Sequence, residues 1–116
     1  MKRKEALAEL IEDVSQDDWP TPANCKEAKI SHSLTEKAFE GSLDAAKALH
    51  EAVLPGFTFW QITRVNDNFF MVSVCDIPRA KGAWLEPSYR GESPDNPARA
   101  WLLAILRALQ SMEPEA

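Results

Sequence analysis

The stretch Asn96 to Gln110, NPARAWLLAILRALQ, decides how the rest of this chain is read. Asn96 can open a helix, its side-chain oxygen accepting an otherwise unpaired backbone N–H of the first turn. Pro97 then takes the first helical position, where its missing donor costs nothing. Ser93-Pro94 offers a competing start one turn earlier. Trp101, Leu102, Ile105, Leu106 and Leu109 recur at helical spacing and form one broad apolar stripe. Arg99 and Arg107 fall off that stripe, and Arg107 suits the negative end of the helix. Burying each large aliphatic side chain contributes roughly 1.5–3 kcal/mol before entropy is charged. The spacing predicts a helix that lies on something flat and apolar.

That surface is predicted immediately upstream. Phe57 to Val65 is rich in aromatic and β-branched residues and reads as a strand. Asn66-Asp67-Asn68 reads as a turn, and Phe69 to Ile77 as a second strand, making an antiparallel hairpin. Phe57, Phe59 and Val65 share one face, with Trp60 and Ile62 on the other. In the second strand Phe70, Val72 and Val74 oppose Phe69, Met71, Cys75 and Ile77. Both faces carry apolar residues, so each is expected to be covered at least in part, with the N-terminal helix the natural candidate for one side and the two later helices for the other.

Two helices precede the hairpin. Residues 2–14 are amphipathic, with Leu7, Leu10, Ile11 and Val14 on one side. A helix this short is marginal alone, so its stripe must dock on the domain or on a partner. Leu43 to Val53 forms the second, capped by Ser42, favoured by Asp44 at its start and stopped by Pro55-Gly56. Ala46, Leu49 and Val53 mark its buried face, and His50 lies near the edge of that face. Between them, Trp19-Pro20-Thr21-Pro22 breaks the first helix. Residues 20–41 read as an irregular connection. Ser33-Leu34-Thr35-Glu36 has capping-box spacing that Gly41 would close as a short helix; alternatively the stretch is extended and delivers Phe39 to the core. The order is an α+β fold, a small antiparallel sheet covered by helices as α-α-β-β-(β)-α, in one domain with a frayed tail after residue 110.

Residues 78–92 hold a loop and a candidate third strand over Trp84 to Arg90, with Pro87 arguing for an edge. Arg79, Lys81 and Arg90 stand here against Glu86 alone, interleaved with Trp84 and Tyr89. These five residues, Arg79, Lys81, Trp84, Tyr89 and Arg90, are the candidate partner-binding set. A solvated loop whose Trp84 folds back on the core is the simpler reading.

Composition narrows the function. The 116 residues are enough for a core without metal or disulfide staples. The net charge of -5 argues against a general nucleic-acid binder. The acid excess lies in residues 1–51, with seven Lys/Arg against eleven Asp/Glu. No apolar run is long enough to span a bilayer, and acids follow Lys2-Arg3-Lys4 where a signal peptide would be apolar. A cytoplasmic protein is expected. Cys25 and Cys75 belong to no C-x-x-C pair; Cys75 reads as a small core residue, and a disulfide between them is the minor alternative.

Catalytic signatures are missing. No phosphate-cradling G-x-x-x-x-G-K-[ST] or G-x-G-x-x-G occurs, and the chain has four glycines. His32 and His50 are isolated, with no H-E-x-x-H and no nucleophile elbow. No catalytic, cofactor or metal residue is assigned, and an enzyme is the least supported class.

Several short motifs carry a resemblance. Gly41-Ser42-Leu43-Asp44-Ala45-Ala46, Leu54-Pro55-Gly56 and Phe59-Trp60 are followed by Gly91-Glu92-Ser93-Pro94, which runs into Pro97 to Ala104. With a leading helix that ends near Trp19, the chain resembles the phage ABA-sandwich domain family over most of its length, least over residues 20–40. The resemblance implies a sheet between helical layers and a phage or prophage origin in the host bacterial cytoplasm. It carries over no catalytic residues.

Two functions from different classes follow. The first is a non-catalytic protein-interaction module, an accessory or anti-defence factor that binds a host or phage protein. The second is a nucleic-acid binder, because the helix–hairpin–strand–helix order is similar to that of double-stranded RNA-binding domains. Against it, the last helix opens with Asp95, Asn96 and Arg99 in place of a lysine cluster. Homodimerisation through an open sheet edge or the N-terminal helix is compatible with either.

Overall fold

The computed structural model describes residues 3–57, 59–66, 69–75 and 88–113. Among the described residues five helices and three strands follow in the order α1 (Arg3–Ser15), α2 (Pro22–Ala28), α3 (His32–Glu40), α4 (Leu43–Val53), β1 (Phe59–Asn66), β2 (Phe69–Cys75), β3 (Ser88–Pro94) and α5 (Pro97–Met112). The strands form one antiparallel sheet in the order β1-β2-β3. The fold is α+β with a small sheet.

Helix α5 begins where its local chemistry dictates. The Asn96 side chain accepts from Arg99 N at 3.0 Å, with Pro97 directly after it. Ser93-Pro94 does not start the helix; both residues end β3. The predicted stripe understates the burial. Ala98, Ala100, Ala104 and Ala108 are buried with Trp101, Leu102, Leu103, Ile105, Leu106 and Leu109, so α5 is enclosed nearly all round. It lies between two layers, packed on β2 and β3 on one side and on α1, α3 and α4 on the other.

This layering corrects the placement expected for the N-terminal helix, which does not lie on a sheet face. The register aligns Trp60 with Val74 and Tyr89, and Ile62 with Val72 and Gly91, on the face that meets α5. Among the described residues α5 is the helix packed along the sheet; α1 docks on α2 and α5 instead. On the outer face Thr63, Phe69, Met71 and Ser73 are half-buried, while Gln61, Arg90 and Glu92 are exposed. Phe57 also departs from its predicted face. It precedes β1, so strand alternation does not govern it, and it is buried in the core with its ring 6.1 Å from Tyr89.

The contact of β3 with α5 depends on Gly91. A Cβ there would meet the backbone oxygen of Ala100 and stand 2.6 Å from Ala104 N and 2.7 Å from Leu103 Cβ. The third strand is described over Ser88–Pro94, so it includes the last three residues of the span expected for it and continues four further; residues 84–87 lie outside the described residues.

Residues 20–41 are helical rather than irregular. Thr21 caps α2, with Pro22 at its first position, and Lys29 closes it in the left-handed conformation. Ser31, not Ser33, caps α3 by accepting from Leu34 N. Gly41 ends α3 at φ 121°, a conformation that glycine adopts without strain. Thr35 of α3 is fully buried and bonds back to Ser31 O at 2.7 Å. Cys25 on α2 is buried, and burial pushes its thiol up to about 11. Cys25 and Cys75 are both buried and form no disulfide.

Arginines tie the helical layer together. Arg99 Nε and Nη2 donate to the carbonyl of Phe39 at 3.1 and 2.9 Å, and Nη1 pairs with Asp17. Its guanidinium also lies 3.9 Å over the Phe39 ring. The Phe39 carbonyl takes a further bond from Asn96 Nδ2 at 3.2 Å, so cationic and neutral donors converge on the C-terminal end of α3. Arg3 does the same for α2, donating to Ala28 O at 2.8 Å and pairing with Glu113.

Candidate functional site

The last turn of α4 and the chain leading into β1 form the site. Leu54 N donates to His50 O at 2.8 Å and Phe57 N to Leu54 O at 2.9 Å, so the backbone reverses tightly through Pro55-Gly56. The reversal places the carbonyl of Phe57 over the imidazole of His50. His50 Nε2 lies 2.6 Å from that oxygen, and Trp101 Nε1 lies 3.1 Å from His50 Nδ1.

These two contacts determine the imidazole's state. An indole nitrogen can only donate, so Nδ1 must accept. A carbonyl can only accept, so Nε2 carries the proton and donates to Phe57. These partners select the tautomer protonated on Nε2, and the residue is only 2% exposed. Neither ring nitrogen has a lone pair free for a base or a metal. The other histidine, His32, is half-buried with Nε2 3.5 Å from Glu36 Oε2 one turn along α3. Among the described residues no three His, Cys, Asp or Glu side chains converge to hold a metal ion.

The hydrogen-bonded pair supports an aromatic platform. The rings of His50 and Trp101 meet edge-on at 5.8 Å and 65°. Trp101 in turn carries Trp60 at 4.5 Å and 35°, within the range of favourable aromatic contacts. Trp101 is 2% exposed, whereas Trp60 is 41% exposed. Beside it opens a cleft of ≈ 360 Å³ lined by His50, Glu51, Leu54, Pro55, Phe57 and Trp60. An indole with one side anchored and the other wet is suited to recognition.

Of the five residues expected to bind a partner, Arg79, Lys81 and Trp84 lie outside the described residues. Tyr89 and Arg90 are both on β3 but point to opposite faces of the sheet. Tyr89 is half-buried on the α5 side, packed near Phe57, with its hydroxyl 2.9 Å from Ser111 Oγ. Arg90 is exposed on the outer face, and its carbonyl accepts from Arg107 at 2.7 Å. The described pair therefore does not form one surface. The cleft was not expected from sequence, although Pro55-Gly56 followed by Phe57 and Trp60 marks a tight turn delivering two aromatics.

The fold and cleft define a class: an α+β domain built around a buried helix, with a preorganised aromatic recess and no free histidine nitrogen at it. No protein-family model matches the sequence, and comparisons with curated proteins and with solved structures return no match. No helix of the described residues is long and apolar enough to cross a membrane.

Proposed function

We propose that the chain is a non-catalytic protein-interaction module, an accessory or anti-defence factor of phage or prophage origin that binds a host or phage protein. The origin rests on the resemblance of its short motifs. The observation that carries the interaction role is Trp60, an indole kept 41% exposed on a rigid support at the mouth of a cleft. Exposed aromatics are enriched where proteins bind proteins. The engaged nitrogens of His50 support a structural role for that ring at the recess.

One observation favours a second reading. The run α4-β1-β2-β3-α5 has the element order of double-stranded RNA-binding domains, and fold order alone does not bring function with it. The opening turn of α5 weakens that reading, since Ala98 is buried and Arg99 is engaged by Phe39 and Asp17. Self-association is compatible with both readings, because β1 and β3 are the edge strands of the sheet among the described residues.

Affinity capture from infected or lysogenic host lysate, with and without nuclease and at two salt concentrations, separates them. The module predicts a stoichiometric protein that survives nuclease and moderate salt. Capture that disappears with nuclease or falls steeply with salt would replace it with the nucleic-acid reading.

A further inference from the structure

The cleft beside Trp60 is narrower in its chemistry than a general protein-binding surface. Leu54, Pro55, Phe57 and Trp60 give it apolar walls, and His50 contributes a ring whose two nitrogens are already engaged. The remaining lining residue, Glu51, is exposed and forms no ion pair among the described residues. A free carboxylate beside an exposed indole matches a cation that also has a flat, weakly hydrated surface. We propose that this cleft receives an arginine side chain presented by a partner protein, an inference that rests on the interaction-module reading.

The fit follows from each element of the lining. A guanidinium stacks on the wet side of Trp60 and directs N–H groups at Glu51, while its methylenes lie along Leu54 and Pro55. Lysine has the charge but not the plane. An apolar side chain would strip water from Glu51 without replacing its hydrogen bonds. The cleft, at ≈ 360 Å³, has room for a guanidinium with its methylenes. Trp60 rests on Trp101, whose N–H is fixed by His50, so little ordering is left to be done on binding. The net charge of -5 favours the approach of a basic partner.

The test titrates the full chain with N-acetyl-glycyl-arginyl-glycinamide and, separately, with its glutaminyl counterpart. The readout is the indole N–H resonances of Trp60 and Trp101. The arginyl peptide should shift the Trp60 signal saturably, with the glutaminyl peptide about ten-fold weaker. Glu51→Gln should weaken the arginyl peptide by about three- to ten-fold and leave the Trp101 signal in place, which reports an intact core. Equal affinity for the two peptides, no saturable shift at Trp60, or an unaltered Glu51→Gln variant would each overturn the assignment. The lysate experiment separates the two levels of the argument. Protein capture that Glu51→Gln does not weaken overturns the cleft but not the module. Arginine binding with no protein captured overturns the module, and with it the protein source of the arginine.

Discussion

Toward the sheet, α5 offers Ala100 and Ala104 to a glycine; toward the helical layer it offers Leu102, Ile105, Leu106 and Leu109 to a core containing Leu7, Leu10 and Leu49. On the first side backbone approaches backbone, and no room exists for another atom. On the second, large side chains interlock and arginines reach across to carbonyls at helix ends. Close contact through small residues should fail abruptly when volume is added. Interlocked side chains and polar ties should fail by degrees.

The largest expected effect is therefore at Gly91. Gly91→Val should destabilise the protein by about 3 kcal/mol, because its new atoms meet the α5 backbone, which cannot swing aside as a side chain can. A denaturant midpoint close to the parent's would show that β3 does not lie directly on α5. On the other side, Arg99→Leu keeps an apolar stem over Phe39 but removes the two bonds to its carbonyl and the pair with Asp17. A loss of about 1.5 kcal/mol in the same measurement is expected, since Asn96 Nδ2 still serves that carbonyl. A loss as large as that of Gly91→Val would erase the distinction between the two sides.

The smallest effect is electrostatic. Burial, then the charges of Asp18, Glu9 and Glu12, raise the Asp13 carboxyl above its ordinary value of 3.8. The folded protein then holds this proton at a higher pH than the unfolded chain does. The charged carboxylate accordingly lowers stability above its folded value, and that penalty fades as pH falls toward 3.8. Asp13→Asn should stabilise by about 0.2–0.5 kcal/mol at pH 7, with the gain shrinking on acidification. Denaturation at pH 7 and near pH 4 checks both the sign and the trend.

The same contrast explains what the sequence disclosed. Helices α4 and α5 were legible because their starts are local: Ser42 and Asn96 each bond an N–H three residues on. Thr21-Pro22 repeats the cap-and-proline logic of Asn96-Pro97, but the surrounding prolines made it read as a break, and α2 was missed. The inner sheet face was legible from alternation, whereas the layer order was not. Alternation shows which residues share a face, not which helix covers it. Gly91 left no signal because the alanines it meets look neutral in a pattern that counts large side chains. The cleft was the least legible feature. His50 reads as a polar residue at a helix edge, and Trp101, its donor, lies fifty-one residues away.

The bonds to Phe57 and Trp101 make His50 a structural support beneath Trp60. Proton–nitrogen correlation of the imidazole ring tests this directly. The expected result is a single tautomer with the proton on Nε2, Nδ1 shifted as a hydrogen-bond acceptor, and slow exchange of the Trp101 indole N–H. A proton on Nδ1, or fast averaging between tautomers, would free a ring nitrogen and contradict that structural role.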